Sequence, residues 1–121
     1  MSVFLQVPAE RILYRDAFFF VIRDGYPVSP GHSLIISNHL RPDYFALTLE
    51  EQLHLPVVIA QAKCLIEQQY RPDGYNIGMN CGEVAGQTVP HFHCHLIPRY
   101  VGDMDNPRGG VRHCVAGKGY Y

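Results

Sequence analysis

From His91 to Ile97 the chain reads His-Phe-His-Cys-His-Leu-Ile, an imidazole at every second position and an apolar side chain between. Side chains on a strand alternate between faces with a period of two, whereas a helix brings positions three and four apart together. The run is therefore read as a strand. His91, His93 and His95 share one face, and Phe92, Cys94 and Leu96 share the other, where they anchor the strand in a core. Neighbouring imidazoles are then spaced roughly 6.5–7 Å along the chain, within reach of one small ligand.

The other elements fit around this strand. Ile12-Leu13-Tyr14 reads as a short edge strand, and Phe18–Ile22 as a buried one ending at the turn Asp24-Gly25-Tyr26-Pro27. After Pro30-Gly31 a strand restarts at Ser33-Leu34-Ile35-Ile36 and pairs antiparallel with the one before it. Thr48 and Glu51 form a capping box. A helix follows to about Gln69, short of Pro72, with Leu53, Val57, Ala60, Cys64 and Leu65 as its apolar stripe. Pro56 predicts either a kink or a later start. Leu55, Val58, Ile59 and Ile66 widen the stripe, as in a deeply buried helix or one covered by a second helix from another subunit. Tyr75–Asn80 is a strand, 82–88 a flexible loop, and the histidine strand closes at Pro98 before a polar, turn-rich tail. Several antiparallel strands and one long helix make an α+β domain.

A chain of 121 residues is one domain, and 47% apolar content supplies its core. A net charge of -1 leaves no basic excess for nucleic acid, yet a phosphate-bearing small molecule needs only a few aimed donors. The four cysteines form no C-x-x-C pair and no zinc ribbon, and Cys64 and Cys94 read as small buried hydrophobes. No signal peptide and no membrane span are recognised, so the expected compartment is a reducing cytoplasm.

Imidazoles at alternate strand positions suit either zinc or nucleophilic attack on phosphorus, and spacing alone does not separate the two. The flanks favour anion chemistry. Gly86-Gln87-Thr88 and Asn80 offer amide and hydroxyl donors, while Glu83 is the only carboxylate nearby. His32, His39, His54 and His113, taken singly, read as surface or packing residues.

At this point the sequence closely resembles the histidine triad (HIT) superfamily of nucleotide hydrolases and transferases. The matching blocks are His91–Ile97, Pro30-Gly31-His32 leading into 33–36, Asp24–Val28 and Gly86–Val89. The resemblance implies one HIT-like domain over 1–121, with a core at about 10–112 and an irregular tail at 113–121. It implies about five antiparallel strands, one long helix, and a sheet extended across a homodimer. It also implies a catalytic group of His93, His95, His91 and His32. His93 would attack the α-phosphorus and become nucleotidylated, and the His95 carbonyl would fix its tautomer. The His95 side chain would contact phosphate. Asp24 would accept from ribose hydroxyls, Asn80, Gln87 and Thr88 would hold phosphate, and Phe20 and Ile22 would contact the base. Arg108 and Arg112 resemble residues for the distal phosphates of a dinucleoside polyphosphate such as diadenosine tri- or tetraphosphate. The fragile histidine triad-like branch is the one matched best. The alternatives are a nucleoside phosphoramidase or nucleotidyltransferase using the same His93, and a nucleotide-binding regulatory module. Many bacterial relatives carry an N-terminal Cys-x-x-Cys in a zinc site. Here that stretch is Phe4-Leu5-Gln6-Val7-Pro8, which leaves only His39 and His91, so structural zinc is expected to be absent. The resemblance implies no other tightly bound cofactor, with magnesium arriving on the substrate.

Overall fold

The apolar runs near residues 20 and 35 do pair as antiparallel neighbours, and the sheet grows outward from them. A computed structural model describes residues 2–121. Its strands are β1 (Ile12–Arg15), β2 (Phe19–Arg23), β3 (Ser33–Ser37), β4 (Gly74–Gly78) and β5 (His93–Arg99), with helix α1 (Leu49–Glu67) between β3 and β4. The order is β1-β2-β3-β5-β4, and every pairing is antiparallel. β5, the histidine strand, thus lies inside the sheet with a neighbour on each side.

Pro98 does not close β5. Its carbonyl accepts from the Ser29 hydroxyl at 2.6 Å, on the side where β3 has already ended at Ser33. The missing N–H points to that same side, so no ladder bond is lost there. Pairing with β4 continues to Arg99.

The capping box forms as read. Thr48 Oγ1 accepts from the Glu51 amide and Glu51 Oε1 from the Thr48 amide, so α1 starts at Leu49 rather than later. The helix is continuous through Pro56, which is exposed. Its inward face is the reverse of the one the sequence suggested. Glu51, Leu55, Val58, Ala62 and Ile66 are buried, while Leu53, Val57 and Cys64 are exposed. The reason is phase: 51, 55, 58, 62 and 66 stay on one side of a 3.6-residue helix over its whole length. This face packs on Phe19, Val21, Ile35, Phe92, Cys94 and Leu96. His54, on the flank of α1, bonds Asp16 Oδ2 at 2.7 Å and ties the helix to the β1–β2 turn.

With α1 on one side, the other face of the sheet is left for Phe20, Ile22, Leu34 and Ile36, against which Phe4, Val7 and Ile12 pack. The N-terminal stretch covers only part of this face.

Candidate active site

Strand register decides what lies beside the histidines. His95 is opposite Leu34, Leu34 opposite Ile22, and Ile22 opposite Ile12. One row of side chains therefore crosses the sheet from an imidazole on β5 to aliphatic side chains on β3, β2 and β1, at about 4.8 Å per strand. Over this row lies a cleft of about 530 Å³, walled by Phe4, Val7 and Ile22 and closed at the β5 end by Asn80, Thr88, His93 and His95. It is apolar where it crosses β3 and β2 and polar at β5.

The hydrogen bonds assign the tautomers. His93 Nδ1 lies 2.8 Å from the His91 carbonyl, which can only accept, so Nδ1 carries the proton. His93 Nε2 is left with its lone pair and has no protein partner among the described residues. On the neighbouring pair, the Val28 amide donates to His32 Nδ1 at 3.2 Å, so the His32 proton sits on Nε2. That nitrogen is 2.9 Å from His95 Nδ1, which must accept. His95 therefore carries its proton on Nε2. A backbone amide 65 or more positions away from β5 thus fixes the N–H of His95, whose ring lies 5.3 Å from that of His93. Gly31 lets His32 sit there. Its φ is +89°, and a side chain would meet Tyr70, Ile66 and Pro98.

Burial keeps this network neutral. It lowers the His95 pKa from 6.5 to about 4, helped by the charges His93 and His32 would carry and opposed by Asp24. Burial also lowers His32, against the pull of Asp24, and His91. These groups bind protons more readily unfolded, so stability is full above the unfolded pKa and is lost as pH falls toward the folded one. Between pH 6.5 and 4, His95 alone should remove up to roughly 3 kcal/mol. Urea midpoints at pH 7.5 and pH 5 measure this, and equal midpoints would refute it.

Comparison with known proteins follows the same outline. The HIT domain model matches residues 6–102. The chain belongs to the HIT domain family. It is 34% identical over 98 residues to the nitrilase and fragile histidine triad fusion protein of Caenorhabditis elegans, covering 81% of this chain and 22% of that one. It is 33% identical over 100 residues to bis(5'-adenosyl)-triphosphatase of Saccharomyces cerevisiae, covering 78% and 48%. The chain thus spans half or less of the length of these two relatives. A HIT family protein from Bacillus anthracis superposes with a TM-score of 0.71 at 40% identity, covering 76% and 65%.

Within the HIT fold, the structure gathers His93, His95, His32, Asp24, Asn80, Thr88 and Ile22 around the cleft. Other expected positions lie elsewhere. His91 is not in the row: β5 begins at His93, and the His91 ring is fully buried between the Ser2 hydroxyl and the Ser37 carbonyl. Its contribution is the carbonyl that fixes His93, a task the resemblance gave to the His95 carbonyl. The His95 carbonyl lies within the β-ladder, whereas that of His91 precedes it and is free to turn to the ring. Gln87 accepts from the Gly82 amide and donates to the carbonyls of Pro42 and Val89, so it staples the 82–88 loop instead of facing the cleft. Phe20 is one row from the cleft floor, 1% exposed beneath the N-terminal residues and Arg15. Arg108 and Arg112 both pack on Tyr121 at 4.7 Å, and Arg112 also bonds the Lys118 and Gly119 carbonyls. The tail occupies them.

Sequence reasoning missed Phe4, whose ring meets the edges of His91 and His93 at 5.6 and 5.0 Å, and the Val28 amide. It also missed Arg11. An apolar residue three positions from the start offers no pattern, and an amide carries no side-chain signal.

Asp24, His32 and His95 also bring three potential metal ligands within 4.8 Å of one another. Asp24 Oδ2 is 3.4 Å from His32 Nε2 and 3.9 Å from His95 Nδ1. A metal on His32 Nε2 would require the proton on Nδ1, facing the Val28 N–H. Metal-bound imidazoles instead donate the N–H of their second nitrogen to an acceptor. The donor set fits a proton-ordered relay better than a cation.

Proposed function

We propose that this HIT domain hydrolyses dinucleoside polyphosphates through a nucleotidyl group carried on His93. The observation that carries the reading is the His93 tautomer, with Nδ1 held by the His91 carbonyl and Nε2 open to the cleft. Nε2 attacks the α-phosphorus, the bond to the bridging oxygen breaks, and a nucleoside di- or triphosphate leaves with the electron pair. Water then attacks the same phosphorus and loses a proton to solvent. The P–N bond returns its electrons to Nε2, and a nucleoside monophosphate is released. His95 Nε2–H, Asn80 and Thr88 line this end of the cleft and in this reading bind phosphate oxygens, and Asp24, which also lines it, accepts from the ribose.

The neutral network favours a phosphoanhydride over a phosphoramidate. A departing phosphate, with its second pKa near 6, leaves as an anion and needs only a hydrogen bond. A departing amine needs a proton, and His95 with its low pKa has none to spare near pH 7. The name of the yeast relative, bis(5'-adenosyl)-triphosphatase, points the same way. A product assay on diadenosine triphosphate, diadenosine tetraphosphate and adenosine phosphoramidate tests this. Monophosphate should form fastest from the dinucleotides. Faster phosphoramidate cleavage overturns the substrate class, and AMP binding without cleavage favours a regulatory module.

We take the domain to work as a homodimer. Leu49, Leu53 and Val57 form an exposed stripe on α1, with Leu53 70% exposed, and the β4 edge carries exposed Ile77. A second copy meeting this face would cover the stripe and could extend the sheet. Sedimentation at twice the chain mass, lost in Leu53→Glu, tests it. We also take structural zinc to be absent, because both nitrogens of His91 are already bonded and His39 belongs to no cluster of potential metal ligands among the described residues. Magnesium then enters with the substrate. No helix among the described residues is long and apolar enough to cross a membrane, and all four cysteines are unpaired, which suits a reducing cytoplasm.

A further inference from the structure

We infer that Arg11 makes the far end of the cleft select guanine over adenine. The inference rests on the nucleotide orientation proposed above. With the α-phosphorus at His93 on β5, the nucleotide runs along the row His95–Leu34–Ile22, and two strand spacings, about 10 Å, bring its base over Ile22. Arg11 stands there. Of the residues lining the cleft it is the only lysine or arginine.

Its position is set by the backbone. Arg11 ends the short turn Ala9–Arg11, and its Nη2 donates to the Arg23 carbonyl at 3.2 Å, against Gly25. One of five guanidinium donors is used in this way. Among the described residues no carboxylate lies within ion-pair distance of it. Asp24, which follows Arg23 in sequence, has Oδ1 on the Tyr26 amide and Oδ2 toward His32. Val7, Ile22 and Tyr26 line the same end. The result is an apolar slot with a fork of N–H donors at its rim.

A fork of donors matches guanine. Its O6 and N7 are adjacent acceptors that a guanidinium can bind together. On the corresponding edge adenine offers one acceptor, N7, next to the N6 amino donor, so one arm of the fork faces another N–H. A glutamine amide has the opposite preference, since it can accept from N6 and donate to N7. Arg11 is exposed to water, which places the expected discrimination at the low end for a bidentate pair, about five- to tenfold.

The test uses the full chain. Dissociation constants for GMP and AMP are measured by calorimetry, and kcat/KM for diguanosine and diadenosine triphosphate by product assay. The wild type should favour guanine about five- to tenfold in both. Arg11→Ala should bring both ratios to near one, Arg11→Lys should keep a reduced preference, and Arg11→Gln should move the ratio toward adenine. A wild-type ratio near one, or a ratio unchanged in Arg11→Ala, overturns the inference while leaving hydrolysis intact. Guanine-selective binding without hydrolysis keeps the inference and removes the proposed activity. Binding of neither mononucleotide removes both.

Discussion

Replacing His93 with Ala should lower kcat by about four orders of magnitude or more, with the affinity for AMP changed by no more than about threefold. The size follows from the role. A covalent route divides one difficult displacement into two easier ones, and losing the nucleophile forfeits the route rather than a share of it. His93→Asn is the sharper variant. Its amide can still donate toward the His91 carbonyl, so the contact that positions the side chain has a substitute. It has no ring nitrogen with a lone pair, and it should be as inactive as the alanine variant. Fold is checked separately, because His93 is not part of the buried core. An asparagine variant with more than about 1% of wild-type kcat would move the nucleophile elsewhere.

The second large effect is expected one step back. His32→Ala should reduce kcat by about 10²- to 10³-fold while leaving AMP binding nearly unchanged. His32 stands between the Val28 amide and His95 Nδ1, with Asp24 Oδ2 3.4 Å from its Nε2, and in this account it acts on the reaction through the His95 ring. Without it, His95 can place its proton on either nitrogen, and the donor aimed at the phosphate is present only part of the time. Removing the carboxylate that fixes the tautomer of a serine protease's catalytic histidine costs about 10⁴ in kcat, which bounds the loss expected here from above. His32→Gln supplies an amide N–H near the lost Nε2 and should recover about tenfold. Because His32 is 3% exposed, the alanine variant should also be less stable, which denaturation separates from the kinetic loss. Wild-type kcat in a folded His32→Ala protein would refute the relay.

Much of this arrangement was legible in the sequence, for local reasons. Alternation at 91–97 exposes strand periodicity, and the Thr48–Glu51 box marks the start of α1, because both signals are short-range. The failures are all long-range. Which side of α1 faces the sheet depends on phase accumulated over 19 residues, and the apolar residues there are spread around the helix. The place of His91 depends on Ser2, 89 positions away, and on where β3 stops pairing with β5. Gln87 looks like a phosphate donor until Pro42, 45 positions away, takes its amide. Arg108 and Arg112 look free until the chain folds back and sets Tyr121 against them. The histidine row told which chemistry to expect. Only the contacts show which nitrogen of His93 keeps its lone pair.

The most direct test is a rapid-quench experiment. The enzyme is mixed with excess dinucleoside triphosphate, stopped in alkali within the first turnover, and digested for peptide mass analysis. The account predicts a nucleotidyl group on the peptide containing His93, attached at Nε2, that forms and decays at rates accounting for kcat. Steady product formation with no modified peptide, or modification at His32 or His95 instead, would contradict it.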